Sequence, residues 1–179
     1  MTPGNWARLI LVAVIGLVLQ VGVLNGITLF GAHPDVMVVI AACAGMAAGP
    51  ERGMVAGFVT GLFADLVVNL PFGLSSLTFV LIGFSTGLIR ETVVARDIGG
   101  AQVSACVAAA GAGAVLYAII GAIAGQPGML GLATAQALLS VTLGAVILAY
   151  PTLAAARWAF AGTRETTGLA VPRGGSAAG

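Results

Sequence analysis

The sequence predicts an all-α fold: a compact polytopic membrane bundle of six transmembrane helices with both termini cytoplasmic. Three observations lead there. The 179-residue chain is 59% hydrophobic and only 7% charged, with a mean hydropathy of +1.10, whereas soluble domains carry roughly 25% charged residues. Long apolar runs recur along it, and one crossing of a bilayer core takes about 20 such residues. Finally, all seven arginines fall on one side once the chain is cut into six spans. The length suits one helical unit, with no room for a second globular domain.

The spans are expected at about 7–30, 35–49, 53–69, 72–89, 102–125 and 129–150, with apolar sequence continuing from the last toward Phe160. They form a membrane domain over 1–161, followed by a disordered cytoplasmic tail over 162–179 that is small, polar and proline-containing. The first run is too long for a cleaved signal sequence and lacks a small-residue cleavage site, so it is expected to remain as an anchor. Pro34, Pro50, Pro71 and Pro127 mark breaks, because proline lacks a backbone donor and disfavours helix at the residue before it. Gln126-Pro127-Gly128 suits a tight turn. The second and third spans are short. From Asp35 to Ala48 a helix covers about 20 Å, less than the roughly 30 Å hydrocarbon core, so both are expected inside the bundle or against a partner.

Arg8 precedes the first span, Arg52 lies between the second and third, Arg90 and Arg96 between the fourth and fifth, and Arg157, Arg164 and Arg173 follow the sixth. Positive charge marks the cytoplasmic face, and Trp6 and Trp158 sit near arginines where interfacial indoles belong. A net charge of about +1 without a basic patch argues against nucleic acid. Cys43 and Cys106 lie in apolar runs with no metal or redox spacing, as buried thiols that pack as small hydrophobes.

Gly45, Gly49, Gly53, Gly57, Gly61 and Asp65 follow one another at intervals of four, close to one helical stripe. The turn at Pro50-Glu51-Arg52 splits the stripe, leaving Gly53, Gly57, Gly61 and Asp65 as a continuous face of the third span. Such a face suits either internal packing or a heterologous helix. Asp65 lies about 18 Å from the inner end of that span, an expensive place for a carboxylate. It is either wetted from outside, bound to backbone N–H groups at Phe72-Gly73-Leu74-Ser75, or met by a donor from a second protein. Asp35, after Pro34, is expected to cap the outer end of the second span. His33 reads as a solvated loop residue. Ser75 and Ser76 are the nearest outer hydroxyls, without a nucleophile-elbow context. Glu51-Arg52 and Arg90-Glu91 read as solvated interface charge. No catalytic, cofactor or metal site is expected, and the chain is expected not to be an enzyme.

Residues 34–91 carry a larger pattern. Pro34-Asp35 opens it, followed by Gly49-Pro50-Glu51-Arg52-Gly53, Gly57-Phe58, Gly61-Leu62, Asp65-Leu66, Pro71-Phe72-Gly73-Leu74, Gly83-Phe84, Gly87 and Arg90. This order resembles the rod shape-determining protein MreD family, over about a third of the chain. The resemblance implies a non-enzymatic inner-membrane component of the cell-elongation and peptidoglycan-synthesis machinery. Such a component pairs with the bitopic protein MreC and works beside RodA, its transpeptidase partner and MreB. It also implies a six-helix architecture similar to the substrate-capture subunits of energy-coupling-factor vitamin transporters. On this chain the motif positions are Gly53, Gly57, Gly61, Asp65, Pro71 and Gly73, as helix-packing or partner-binding residues.

Two functions compete on that pattern. The first is a scaffold whose outer-half grooves hold a partner's transmembrane helix. The second is a vitamin-capture subunit, which needs an outward pocket rich in polar and aromatic groups. Asp35, Asp65, Asn69, Ser75, Ser76 and Gln126 are a thin inventory for that purpose. An intramembrane enzyme fares worst, since neither paired carboxylates nor a metal-ligand cluster is present.

Overall fold

The structure is a computed structural model that describes residues 3–28, 33–67, 73–94, 99–125 and 131–161. Six helices account for nearly all of them: α1 (Pro3–Gly22), α2 (Val36–Ala48), α3 (Pro50–Asp65), α4 (Leu74–Val94), α5 (Gly99–Ile123) and α6 (Leu132–Phe160), with a 3-10 turn at Leu24–Gly26 after α1. No strand occurs among the described residues. Gly4–Gly22, Gly100–Ile123 and Thr134–Phe160 are long and apolar enough to cross a membrane, and Val36–Ala48 and Leu74–Arg90 are shorter apolar helices. The chain is an all-helical, membrane-embedded bundle.

Its plan is a hub and a ring. α2 packs against each of the other five helices, and those five touch in the closed order α1, α3, α4, α5, α6 and back to α1. The hub explains the composition of α2. From Val36 to Met46 every residue is buried, and a helix that is apolar all round has no face to offer water. Encased by protein, it has no need to match the full bilayer thickness. α3 differs: one face is buried, while Met54, Phe58, Leu62 and Leu66 are exposed. Of the two short spans expected inside the bundle or against a partner, α2 lies inside the bundle, while α3 buries one face there and leaves the other exposed.

Local chemistry sets the boundaries. Gly49 alone separates α2 from α3, at φ +92°, a conformation open to glycine and strained for other residues. Pro50 follows as the first residue of α3, where its missing N–H costs nothing. The first span is shorter than expected: helix stops at Gly22 and Ile27 is already extended. The last takes the longer of its two expected ends, since α6 runs past Tyr150 and through Pro151 to Phe160. Side chains engage carbonyls beside the proline, where Thr152 Oγ1 donates to Leu148 and Ala149 (2.6 and 3.1 Å) and Cys43 Sγ to Ala149 (3.7 Å). Such support lets membrane helices carry proline. The expected tail, the Gln126-Pro127-Gly128 turn and Pro71 lie outside the described residues.

The described arginines gather at one end. Arg8 of α1 stacks on Trp158 of α6, 5.1 Å from the ring centre, and reaches its carbonyl. Arg157 donates to Gln102 of α5. Arg90 of α4 lies beside Gly49, in the turn next to Arg52. The opposite end carries Asp35, Asp65 and His33.

Candidate functional site

The glycines of the sequence stripe meet backbone. A β-carbon on Gly57 would land on the Phe79 carbonyl, one on Gly61 on Ser76 Cα, and one on Gly53 on the Gly83 carbonyl. The relation is reciprocal, for a β-carbon on Gly83 would strike the Gly53 carbonyl and one on Gly87 would strike Pro50. Gly45 extends the seam onto α2, where its missing side chain makes room for the Gly83 carbonyl and Thr86 Oγ1. Without a hydrophobic force between helices in lipid, close backbone contact is what small residues supply. The buried hydroxyls at this seam turn back onto their own helices. Thr60 donates to Ala56, Thr78 to Leu74 and Thr86 to Ile82, at 2.8–2.9 Å.

Asp65 closes the seam. Its side chain is only 4% exposed. Oδ2 accepts from Gly73 N (3.0 Å), Ser76 N (3.2 Å) and Ser76 Oγ (2.8 Å), and Oδ1 accepts from Ser75 N (3.0 Å). These are donors of the first turn of α4, which otherwise have no intrahelical partner. Gly73, at φ +101°, stands where a capping side chain normally stands and has none. α3 supplies the missing carboxylate from another element, facing the positive end of the α4 dipole. Of the partners expected for Asp65, the structure contains the backbone N–H set. With four donors on its two oxygens, the group is a clamp between two helices.

α2 is capped by two routes. Asp35 Oδ1 accepts from Met37 N at 2.8 Å, as its position after Pro34 leads one to expect. Gln20 of α1 adds a second, its Oε1 accepting from Val36 N (2.9 Å) while its Nε2 donates to Pro34 O (3.0 Å). Sequence reasoning passed over Gln20, although an amide late in the first apolar run was a signal. Tyr117 of α5 was missed too. Its hydroxyl interacts with the Ser75 side chain, close enough to Asp35 and Asp65 to feel both charges, so this end of the bundle gathers polar groups from α3, α4, α5 and the head of α2. His33 is exposed and its Nδ1 lies 3.2 Å from the Ile27 carbonyl.

Cys43 and Cys106, distant in sequence, are both fully buried and free, with their thiols facing one another. Cys43 Sγ also lies 3.3 Å from Thr152 Oγ1. Among the described residues, no group of three His, Cys, Asp or Glu side chains is placed to hold a metal ion. The structure thus brings together Gly53, Gly57, Gly61, Asp65 and Gly73 along one contact between α3 and α4, with Asp35 outside that contact as the cap of α2. Set against protein-family models, curated proteins and solved structures, the chain matches none.

Proposed function

We propose that this protein is a non-enzymatic scaffold of the cytoplasmic membrane, of the MreD type, which binds the transmembrane helix of a bitopic partner such as MreC within the cell-elongation machinery. What supports the reading is the unit formed by α2, α3 and α4. Of the residues that carry the MreD resemblance, Gly53, Gly57, Gly61, Gly83 and Gly87 lie along its seam as packing groups and Asp65 as a capping group. Together they join three helices into one body, the role of a scaffold. The seam itself is filled by α4, so a partner's helix goes elsewhere. The outer face of α3 suits it: Met54, Phe58, Leu62 and Leu66 form an apolar ridge at intervals of four. On this reading the arginine end faces the cytoplasm, by the positive-inside rule.

Photo-crosslinking from Phe58 and Leu62 in native membranes tests the partner. Capture of a single-span protein at both positions is the expected result, and crosslinks to lipid alone would sink the scaffold. A vitamin retained through purification would instead favour the transporter subunit. For orientation, single cysteines at Glu51 and His33 are compared for labelling by an impermeant maleimide in intact cells. Only the His33 position should react, and labelling of the Glu51 position alone would reverse the topology.

A further inference from the structure

A groove of about 710 Å³ opens between α5 and α6. On α5 it runs from Gly100 to Ala108, and on α6 from Val146 to Arg157, which is about 12 Å of one helix and about 16 Å of the other. The walls are apolar, with Val103, Val107, Val146 and Leu153 along the length. At the end that bears the arginines, the groove meets the Arg157 side chain and the first turn of α5, where Gly100 leaves open space. Gln102 receives one hydrogen bond from Arg157, which holds the guanidinium at the mouth. A guanidinium has five N–H donors, so others remain for an anion.

The dimensions select the occupant. A length of about 16 Å is close to half of the roughly 30 Å hydrocarbon core, the depth of one leaflet. A docked transmembrane helix would need the full depth. The groove is therefore too short for a spanning helix and matches the reach of an acyl chain within one leaflet, and its single charged mouth calls for a negative headgroup. Basic pockets between transmembrane helices hold anionic lipids for that reason.

We propose that the α5–α6 groove binds an anionic phospholipid, with acyl chain along Val103, Val107 and Val146 and the phosphate at Arg157. The site is separate from the α3 ridge and does not depend on the scaffold reading. The test uses the full-length chain in nanodiscs of equal phosphatidylglycerol and phosphatidylcholine, with retained lipid identified by native mass spectrometry after release. Wild type should keep phosphatidylglycerol in about fivefold preference, the effect of one arginine at the membrane surface. Arg157→Gln should erase the preference while leaving total retained lipid unchanged, and Ala154→Trp, which fills the groove, should reduce both lipids. Equal retention of the two lipids by wild type would overturn the proposal, as would an undiminished preference in Arg157→Gln. Both substituted positions are exposed, and helix content by circular dichroism checks that the variants fold. A photoreactive residue at Ala108 provides a readout without loss of charge. Lipid adducts are expected there, and adducts to a protein would overturn the proposal.

Discussion

The seam between α3 and α4 and the one between α5 and α6 are both built with small residues, yet they end in opposite states. In the first, each glycine lies against the other helix's backbone, Gly53 against Gly83, Gly57 against Phe79 and Gly61 against Ser76, so each missing β-carbon is replaced by a neighbour's main chain. In the second, the pair leaves a groove. There Gly111 of α5 meets the Thr142 side chain of α6, while Gly113 is turned toward Ile82 and Val38, Gly144 toward Pro34, and Gly100 toward open space. A small residue closes a helix contact only where the partner helix turns its backbone toward it. Abundance of glycine and alanine does not suffice.

The largest expected effect breaks the tight seam. Gly57→Leu forces a side chain into the Phe79 carbonyl, and overpacking against backbone that cannot yield should destabilise by about 3 kcal/mol or more. Denaturant unfolding of the purified protein in detergent measures it, and a loss below 1 kcal/mol on the scale of ordinary surface changes would contradict the packing described. Next comes Asp65→Ala, which leaves three backbone donors and the Ser76 hydroxyl without their acceptor. A loss of about 2–3 kcal/mol follows from lost capping and dry N–H groups. Asp65→Asn keeps an acceptor and should lose less. If the alanine variant exchanges the α4 first-turn amides no faster than wild type, the carboxylate is not what holds them.

Smaller effects sharpen the contrast between seams. Gly113→Ala meets the ends of the Ile82 and Val38 side chains, which can shift where a backbone carbonyl cannot, so it should change stability by about 1 kcal/mol. Gly57→Ala, one methyl against a carbonyl, should lose more than Gly113→Ala in the same assay. Equal losses would show that backbone and side-chain contacts are equivalent here. Smallest of all, Gly100→Ala enters open space and should be neutral or stabilising by up to about 1 kcal/mol, through reduced chain entropy and better helix propensity.

Composition and arginine placement carried the helix number and the up-down order, because charge and apolar length are properties of single residues summed locally. Helix ends were less legible. Pro151 signals a stop by its missing donor, and the carbonyls around it are engaged both from within the helix, by the Thr152 hydroxyl, and from outside it, by Cys43 on α2. The hub position of α2 was foreshadowed by its shortness and its unbroken apolar run from Val36 to Ala42. For Asp65, helix spacing told that the carboxylate was deep and in want of donors. Which donors it finds depends on Gly73, Ser75 and Ser76 returning from the next turn, a tertiary fact. The facing of Cys43 and Cys106 was invisible for the same reason, since nothing in a spacing of 63 positions brings α2 and α5 together.

The clamp at Asp65 also constrains how the protein is made. Of the six helices, α3 alone is absent from both the long and the shorter apolar sets. Asp65 ends this short helix, and a carboxylate there opposes transfer from the translocon into lipid, by less than the about 3 kcal/mol of a charge at mid-span. Alone, α3 is therefore a poor candidate to leave the translocon. Once α4 has been synthesised, its amides neutralise that penalty, and the two helices become acceptable to lipid as a hairpin. We therefore expect glycosylation-mapped insertion of α3 to depend on the presence of α4 downstream, and Asp65→Leu to remove that dependence.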